Sequence, residues 1–211
     1  MDAYEELIPP PPAYVPFWPR SVSPVEDLEL SLAEAGRLFR LLIAQEHALG
    51  EYKKAKAVAI VFTCNHCPVA QMYEDRLIAL QKEFQDKGVQ FVAVNSNSVK
   101  VVAADSFEKM KERAQGKDLG GWRTEKGPFN FPYLHDATQK MARDYGAKVT
   151  PHVFVLDKDR KVVYIGAVDD NNNAEKAEKH YLRDALAAVL AGEKPPEEST
   201  KARGCSVKYE K

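Results

Sequence analysis

The run Ala57-Val58-Ala59-Ile60-Val61-Phe62-Thr63-Cys64-Asn65-His66-Cys67-Pro68 decides how this chain is read. Its first half is an unbroken apolar stretch rich in β-branched residues, the pattern of a buried strand. After Pro68, the apolar residues Val69, Met72, Leu77, Leu80 and Phe84 recur at near-helical spacing as far as Lys87, where Gly88 stops the pattern. Proline fits the first turn of a helix, which needs no N–H at that point. Two thiols separated by two residues therefore stand at a strand-to-helix junction. One helical turn brings their sulfurs within bonding reach. The helix N-terminus favours an anion, so the expectation is that Cys64 remains exposed, holds the thiolate and attacks, while Cys67 lies inside the turn and resolves the mixed disulfide. Between them, Asn65 and His66 tune the pair, and a positive charge on His66 would stabilise the thiolate. The bland alternative is that His66 is only a solvated side chain.

Outward from this run the pattern alternates. Val89–Asn95 reads as a second strand, Ser106–Gln115 as a helix, residues 116–130 as a Gly-rich loop holding Trp122, and Phe131–Leu134 as a short strand. Ala137–Tyr145 reads as a helix stopped by Gly146. Val153–Leu156 and Val162–Ile165 flank Asp157-Lys158-Asp159-Arg160 as a hairpin, and Ala174–Ala191 is amphipathic up to Gly192. This order predicts an α/β fold with a central mixed sheet and helices on both faces. Thr150-Pro151, just before a strand and in a loop that faces the thiols, is a candidate cis peptide. Its backbone would pair with an incoming extended chain, because proline leaves no competing N–H there.

The ends read differently. Residues 1–27 hold Pro9 to Pro12, Pro16, Pro19 and Pro24 among Tyr14, Phe17 and Trp18. They form a proline-rich arm, packed on its own domain or docked on a partner. The domain proper is expected at 28–192, with residues 33–56 left without an assignment. Residues 193–211 make a polar, irregular tail carrying Cys205. Asp169-Asp170 and Asn171 to Asn173 read as a solvated turn leading into a helix cap, with calcium or substrate contact as the alternative. Tyr133 and Trp122 are either core aromatics or the lining of a groove by the thiols.

Thirty basic residues against 31 acidic ones, a net charge of −1, leave no excess of positive charge for gripping nucleic acid or an anionic membrane. No apolar run reaches the roughly 18 residues of a membrane span. The acidic start Met1-Asp2-Ala3-Tyr4-Glu5-Glu6 shows no signal peptide. That suggests a cytoplasmic protein, or a periplasmic one whose signal has been removed. Three cysteines, one pair and a distant single, do not make a secreted disulfide scaffold. They suit thiol redox or metal chemistry. Cys64, His66 and Cys67 are ligand types for copper or zinc, with Cys205, His152 or His135 as a further donor.

Five stretches in order, Phe62-Thr63-Cys64-Asn65-His66-Cys67-Pro68, Asn95-Ser96-Asn97, Phe131-Pro132-Tyr133-Leu134, Asp169-Asp170 and Gly204-Cys205-Ser206-Val207-Lys208, resemble the thioredoxin superfamily. Within it they resemble the redoxin or peroxiredoxin-like group of bacterial proteins with a Cys-Asn-His-Cys-Pro motif. The resemblance spans 57–211. It implies a thioredoxin-like fold and thiol–disulfide oxidoreductase chemistry on protein thiols or disulfides, with no cofactor beyond the dithiol. Thioredoxin has a buried acid six residues before its first cysteine; Val58 stands there, so proton transfer would fall to another group, water or His66. A thiol peroxidase is the neighbouring alternative, but Thr63 adjoins Cys64 instead of standing three residues before it, and no proline precedes it in the strand. A thioredoxin-like metal-binding module without turnover is the alternative from another class. Cys205 would resolve a disulfide with Cys64, cap the site, or be a free thiol.

Overall fold

The computed structural model describes residues 52–117 and 127–210. The proline-rich arm, most of the unassigned stretch 33–56, and Trp122 lie outside the described residues. Ala57–Phe62 is β1, Pro68–Phe84 is α1, Val89–Asn95 is β2, Phe107–Ala114 is α2 and Tyr133–His135 is β3. Lys140–Tyr145 is α3, Val149–Thr150 is β4, His152–Leu156 is β5, Val162–Gly166 is β6, Tyr181–Ala191 is α4 and Cys205–Ser206 is β7. Five strands make one mixed sheet in the order β3-β2-β1-β5-β6. β1 and β3 run parallel to β2, while β5 is antiparallel to both β1 and β6.

Strand alternation sorts the core onto two faces. Ala57, Ala59 and Val61 of β1 face Tyr73, Leu77 and Phe84 of α1, Met110 of α2 and Leu182 and Leu186 of α4. Val58, Ile60 and Phe62 face the other way, toward Met141 and Ala142 of α3 and Val207 of the tail. The expected sheet with helices on both faces is what forms. Gly88 ends the α1 segment in the left-handed region, φ 93°, where a side chain would be strained.

Three boundaries differ from the reading of the sequence. The last helix begins at Tyr181, not Ala174. Asp170 Oδ1 accepts the backbone N–H groups of Glu178 and Lys179 at 3.0 and 3.1 Å, and this holds the segment before α4 out of helical geometry. Likewise α3 begins at Lys140, after Gln139 in a left-handed conformation. The tail is not irregular throughout. β7 pairs antiparallel with β4 in the register Val149↔Ser206 and Thr150↔Cys205, and Val207 is buried beyond it.

Candidate active site

The loop Thr63–Cys67 leaves the C-terminal end of β1 and turns into α1, with Cys67 as the N-cap residue and Pro68 in the first turn. Asn65 and His66 are fixed by a residue the sequence did not single out. Asp105, fully buried, accepts Asn65 N–H at 2.7 Å and His66 N–H at 3.2 Å on Oδ1. Its Oδ2 accepts from His66 Nδ1 at 2.6 Å and Asn97 Nδ2 at 2.8 Å. Asn65 is held on every polar atom: Nδ2 donates to Ala104 O, Oδ1 accepts from Tyr133 OH at 2.9 Å, and its carbonyl accepts from Gln71 Nε2. Tyr133 is therefore buried and ties the loop to β3 instead of lining an open groove. No local periodicity marks Asp105, since its role depends on contacts 39 and 40 residues away. Its only sequence neighbour with a signal is Asn97, in Asn95-Ser96-Asn97.

The two thiols do not match the expected division of exposure. Both are buried, Cys64 at 1% and Cys67 at 0%. Thr150 covers Cys64, with Oγ1 3.2 Å from its Sγ, and Cys67 Sγ lies 3.3 Å from Thr150 O. Thr150-Pro151 is a cis peptide and sits against the sulfurs as expected. Its free backbone edge is not open, however, because β7 is paired to it. Gly204 packs so closely that a Cβ there would lie 2.0 Å from Thr150 O. Cys205, half-buried, joins Cys64, Cys67 and Ala70 in one cluster.

The charge also settles differently. Cys67, not Cys64, receives the helix terminus, through the N–H of Ala70. Hydrogen bonds from Cys64 and from Cys205, together with that N–H, pull the Cys67 pKa down to about 4 against the opposing effect of burial. Cys64 is pushed up by the hydrogen bond it gives Cys67, by burial, and by the Asp105 carboxylate. The two shifts thus run opposite to the expected order, Cys67 lowered and Cys64 raised. The contact with Thr150 O is a hydrogen bond only while Cys67 keeps its proton. His66 cannot act as a lone cation beside the thiols, since its ring is paired with Asp105. Burial and the hydrogen bond to Cys67 raise Cys205 to about 11.

Cys64, His66 and Asp105 place one donor atom each within 4.8 Å, which is a possible set of metal ligands among the described residues. The hydrogen bonds argue against that use. Four N–H donors already occupy Asp105, two of them from His66 itself. Neither His135, stacked on Phe107, nor His152, against Phe154, belongs to the group. Asp169 is buried, not solvated: it accepts from Tyr73 OH at 2.7 Å and pairs with Arg76, while Asn173 does cap a short turn, at Glu175 N–H. The buried Arg113 is committed to Glu74, at 2.5 and 3.1 Å.

A mixed sheet with a Cys-x-x-Cys loop at the head of α1 and a cis-proline against the sulfurs defines a thioredoxin-like thiol-redox protein. Residues 26–165 match the AhpC/TSA family, and the chain belongs to it. A crystal structure of an uncharacterized conserved protein from Geobacillus kaustophilus is 38% identical, covering 78% of this chain and 82% of that one, with a TM-score of 0.68. A hypothetical protein from Sinorhizobium meliloti is 29% identical, with 78% and 85% covered and a TM-score of 0.69. A thioredoxin-like protein solved in its oxidized form, 18% identical, shares the fold at a TM-score of 0.50 over 66% of this chain and 81% of that one. No curated protein matches the sequence. Among the described residues no helix is long and apolar enough to cross a membrane.

Proposed function

We propose that this protein is a thiol–disulfide oxidoreductase that exchanges a Cys64–Cys67 dithiol and disulfide with protein substrates. The observation that carries the reading is the packing of the two thiols in one cluster against Thr150-Pro151, with Cys64 Sγ 3.2 Å from Thr150 Oγ1 and Cys67 Sγ 3.3 Å from Thr150 O. Two sulfurs packed in this way are placed to close into a disulfide with the loss of two electrons and two protons. No organic cofactor is required for this, because the dithiol holds both electrons. Burial of the pair means that a protein substrate reaches it only when β7 leaves β4. The vacated Val149–Thr150 edge then offers an extended substrate the antiparallel pairing that the tail now makes. Cys64 remains the sulfur proposed to meet the substrate and Cys67 the one that resolves.

Equilibration in glutathione redox buffers, followed by alkylation and mass spectrometry, tests the couple, and insulin reduction tests turnover. The expected result is a titratable Cys64–Cys67 disulfide whose potential places it as reductant or oxidant, about 30 mV corresponding to roughly 1.4 kcal/mol. A Cys64→Ser variant that keeps full exchange activity overturns the assigned roles. The peroxidase reading has the family match behind it. Hydrogen peroxide consumption with a reductant, without exchange on insulin, would favour it instead.

A further inference from the structure

The three cysteines, 64, 67 and 205, are not a pair and a bystander. Cys64 and Cys67 are buried in one cluster, and the half-buried Cys205 packs against it. Both other thiols influence the ionisation of Cys67. The backbone fixes this placement. β7 is in register with Cys205 opposite Thr150, and Thr150 is the residue whose hydroxyl touches Cys64 and whose carbonyl touches Cys67. The hydroxyl also donates to Cys205 O at 3.5 Å. Gly204 permits the close approach, and Val207 N–H to Lys148 O at 3.0 Å and Lys208 N–H to Asn97 Oδ1 at 2.7 Å hold the strand beyond. A thiol held by this much backbone, next to a redox pair and closer to solvent than either member, is placed to exchange with it.

We propose that Cys205 is a third redox thiol, which exchanges with Cys67 and carries the disulfide between the buried pair and the surface. This deepens the proposed function and rests on that reading of the Cys64–Cys67 pair. In the exchange, the thiolate of Cys205 attacks the Cys67 sulfur of a Cys64–Cys67 disulfide. The Cys67–Cys205 bond forms, the Cys64–Cys67 bond breaks, and the electron pair leaves on Cys64, which takes up the proton that Cys205 gave. No net oxidation occurs. The step frees Cys64 and closes a covalent link between the tail and α1, and its reverse releases both.

Trypsin makes the states distinguishable in the full chain. Cleavage after Lys56, Arg76, Arg203 and Lys208 puts Cys64 and Cys67 on one peptide and Cys205 on another. A Cys64–Cys67 disulfide is then a loop within one peptide, and Cys67–Cys205 is a link between two. Protein poised in oxidised and reduced glutathione is quenched with acid, alkylated and mapped. In Cys64→Ala the expected result is loss of both remaining thiols to the linked peptides, with glutathione disulfide as the two-electron acceptor. In Cys67→Ala the link should fall at least tenfold, because Cys205 contacts Cys67. A folded Cys64→Ala protein whose two thiols stay free or carry glutathione overturns the proposal, as does an undiminished link in Cys67→Ala. Should Cys64→Ala fail to fold by circular dichroism, wild type decides. Linked peptides with Cys64 alkylated support the proposal, and their absence at every poise overturns it. Absence of the looped peptide in wild type is a separate result that sinks the proposed function, whichever way the link comes out.

Discussion

Replacing Gly204 with alanine tests whether the tail strand is what closes the site. The new Cβ would stand 2.0 Å from Thr150 O and 2.7 Å from Thr150 C, both backbone atoms that cannot swing aside. Carbon and oxygen settle at about 3.3 Å or more, so the tail has to retreat by about 1.3 Å. That displacement breaks the β4–β7 ladder and strains the Val207 N–H to Lys148 O bond. At roughly 1 kcal/mol net per hydrogen bond, losing two destabilises the closed state by about 2 kcal/mol. With 1.4 kcal/mol per tenfold, the open population rises about 30-fold. When closing is fast, the rate at which a buried group is labelled follows that population. Pulse alkylation with iodoacetamide, read as the mass shift of the tryptic peptide carrying Cys64 and Cys67, should therefore accelerate by about that factor while the rest of the fold keeps its far-ultraviolet spectrum. Alkylation of that peptide at the wild-type rate would refute the claim that β7 gates the thiols.

Asp105→Asn removes the charge that opposes a thiolate on Cys64, so the pH midpoint for alkylating Cys64 should fall; the lost acceptor for His66 or Asn97 should also lower stability by about 1–3 kcal/mol, read by urea unfolding. Glu74→Ala strips the buried Arg113 of its two-pronged carboxylate partner and should cost about 3–5 kcal/mol in the same assay. Burial, with Lys148 nearby, depresses His152 to about 4, below its unfolded value of about 6.5. The unfolded chain therefore binds the proton first, so this residue withdraws up to about 3 kcal/mol of stability as pH falls from 6.5 to 4 and nothing above 6.5. Unfolding free energies of His152→Gln measured across that window should show a shallower slope than wild type.

The sequence made the hydrophobic part of this architecture legible. β1, β2, α1 and the hairpin of β5 and β6 each carry a run long enough for its period to declare itself, and the Cys-x-x-Cys loop is bracketed by two of them. Thr150-Pro151 was readable from its place before β5. What stayed hidden depends on single contacts between distant residues. Asp105 sits in a stretch with no apolar period, and only folding brings it under Asn65 and His66. β4 and β7 have two residues each, too short for alternation to be seen, so the tail looked irregular and the sulfurs looked open. The misplaced start of α4 has a similar origin: amphipathic spacing runs back to Ala174, but the Asp170 side chain captures the N–H groups that the extra helix would have used.

Asn97 has two masters. Its Oδ1 accepts Lys208 N–H from the tail, and its Nδ2 steadies the Asp105 carboxylate that faces Cys64. A single amide side chain thus spans the latch and the electrostatics. Whatever unfastens the C-terminal strand also loosens the anchor of the nearby negative charge, so uncovering the sulfur and changing its acidity are one event seen from two ends.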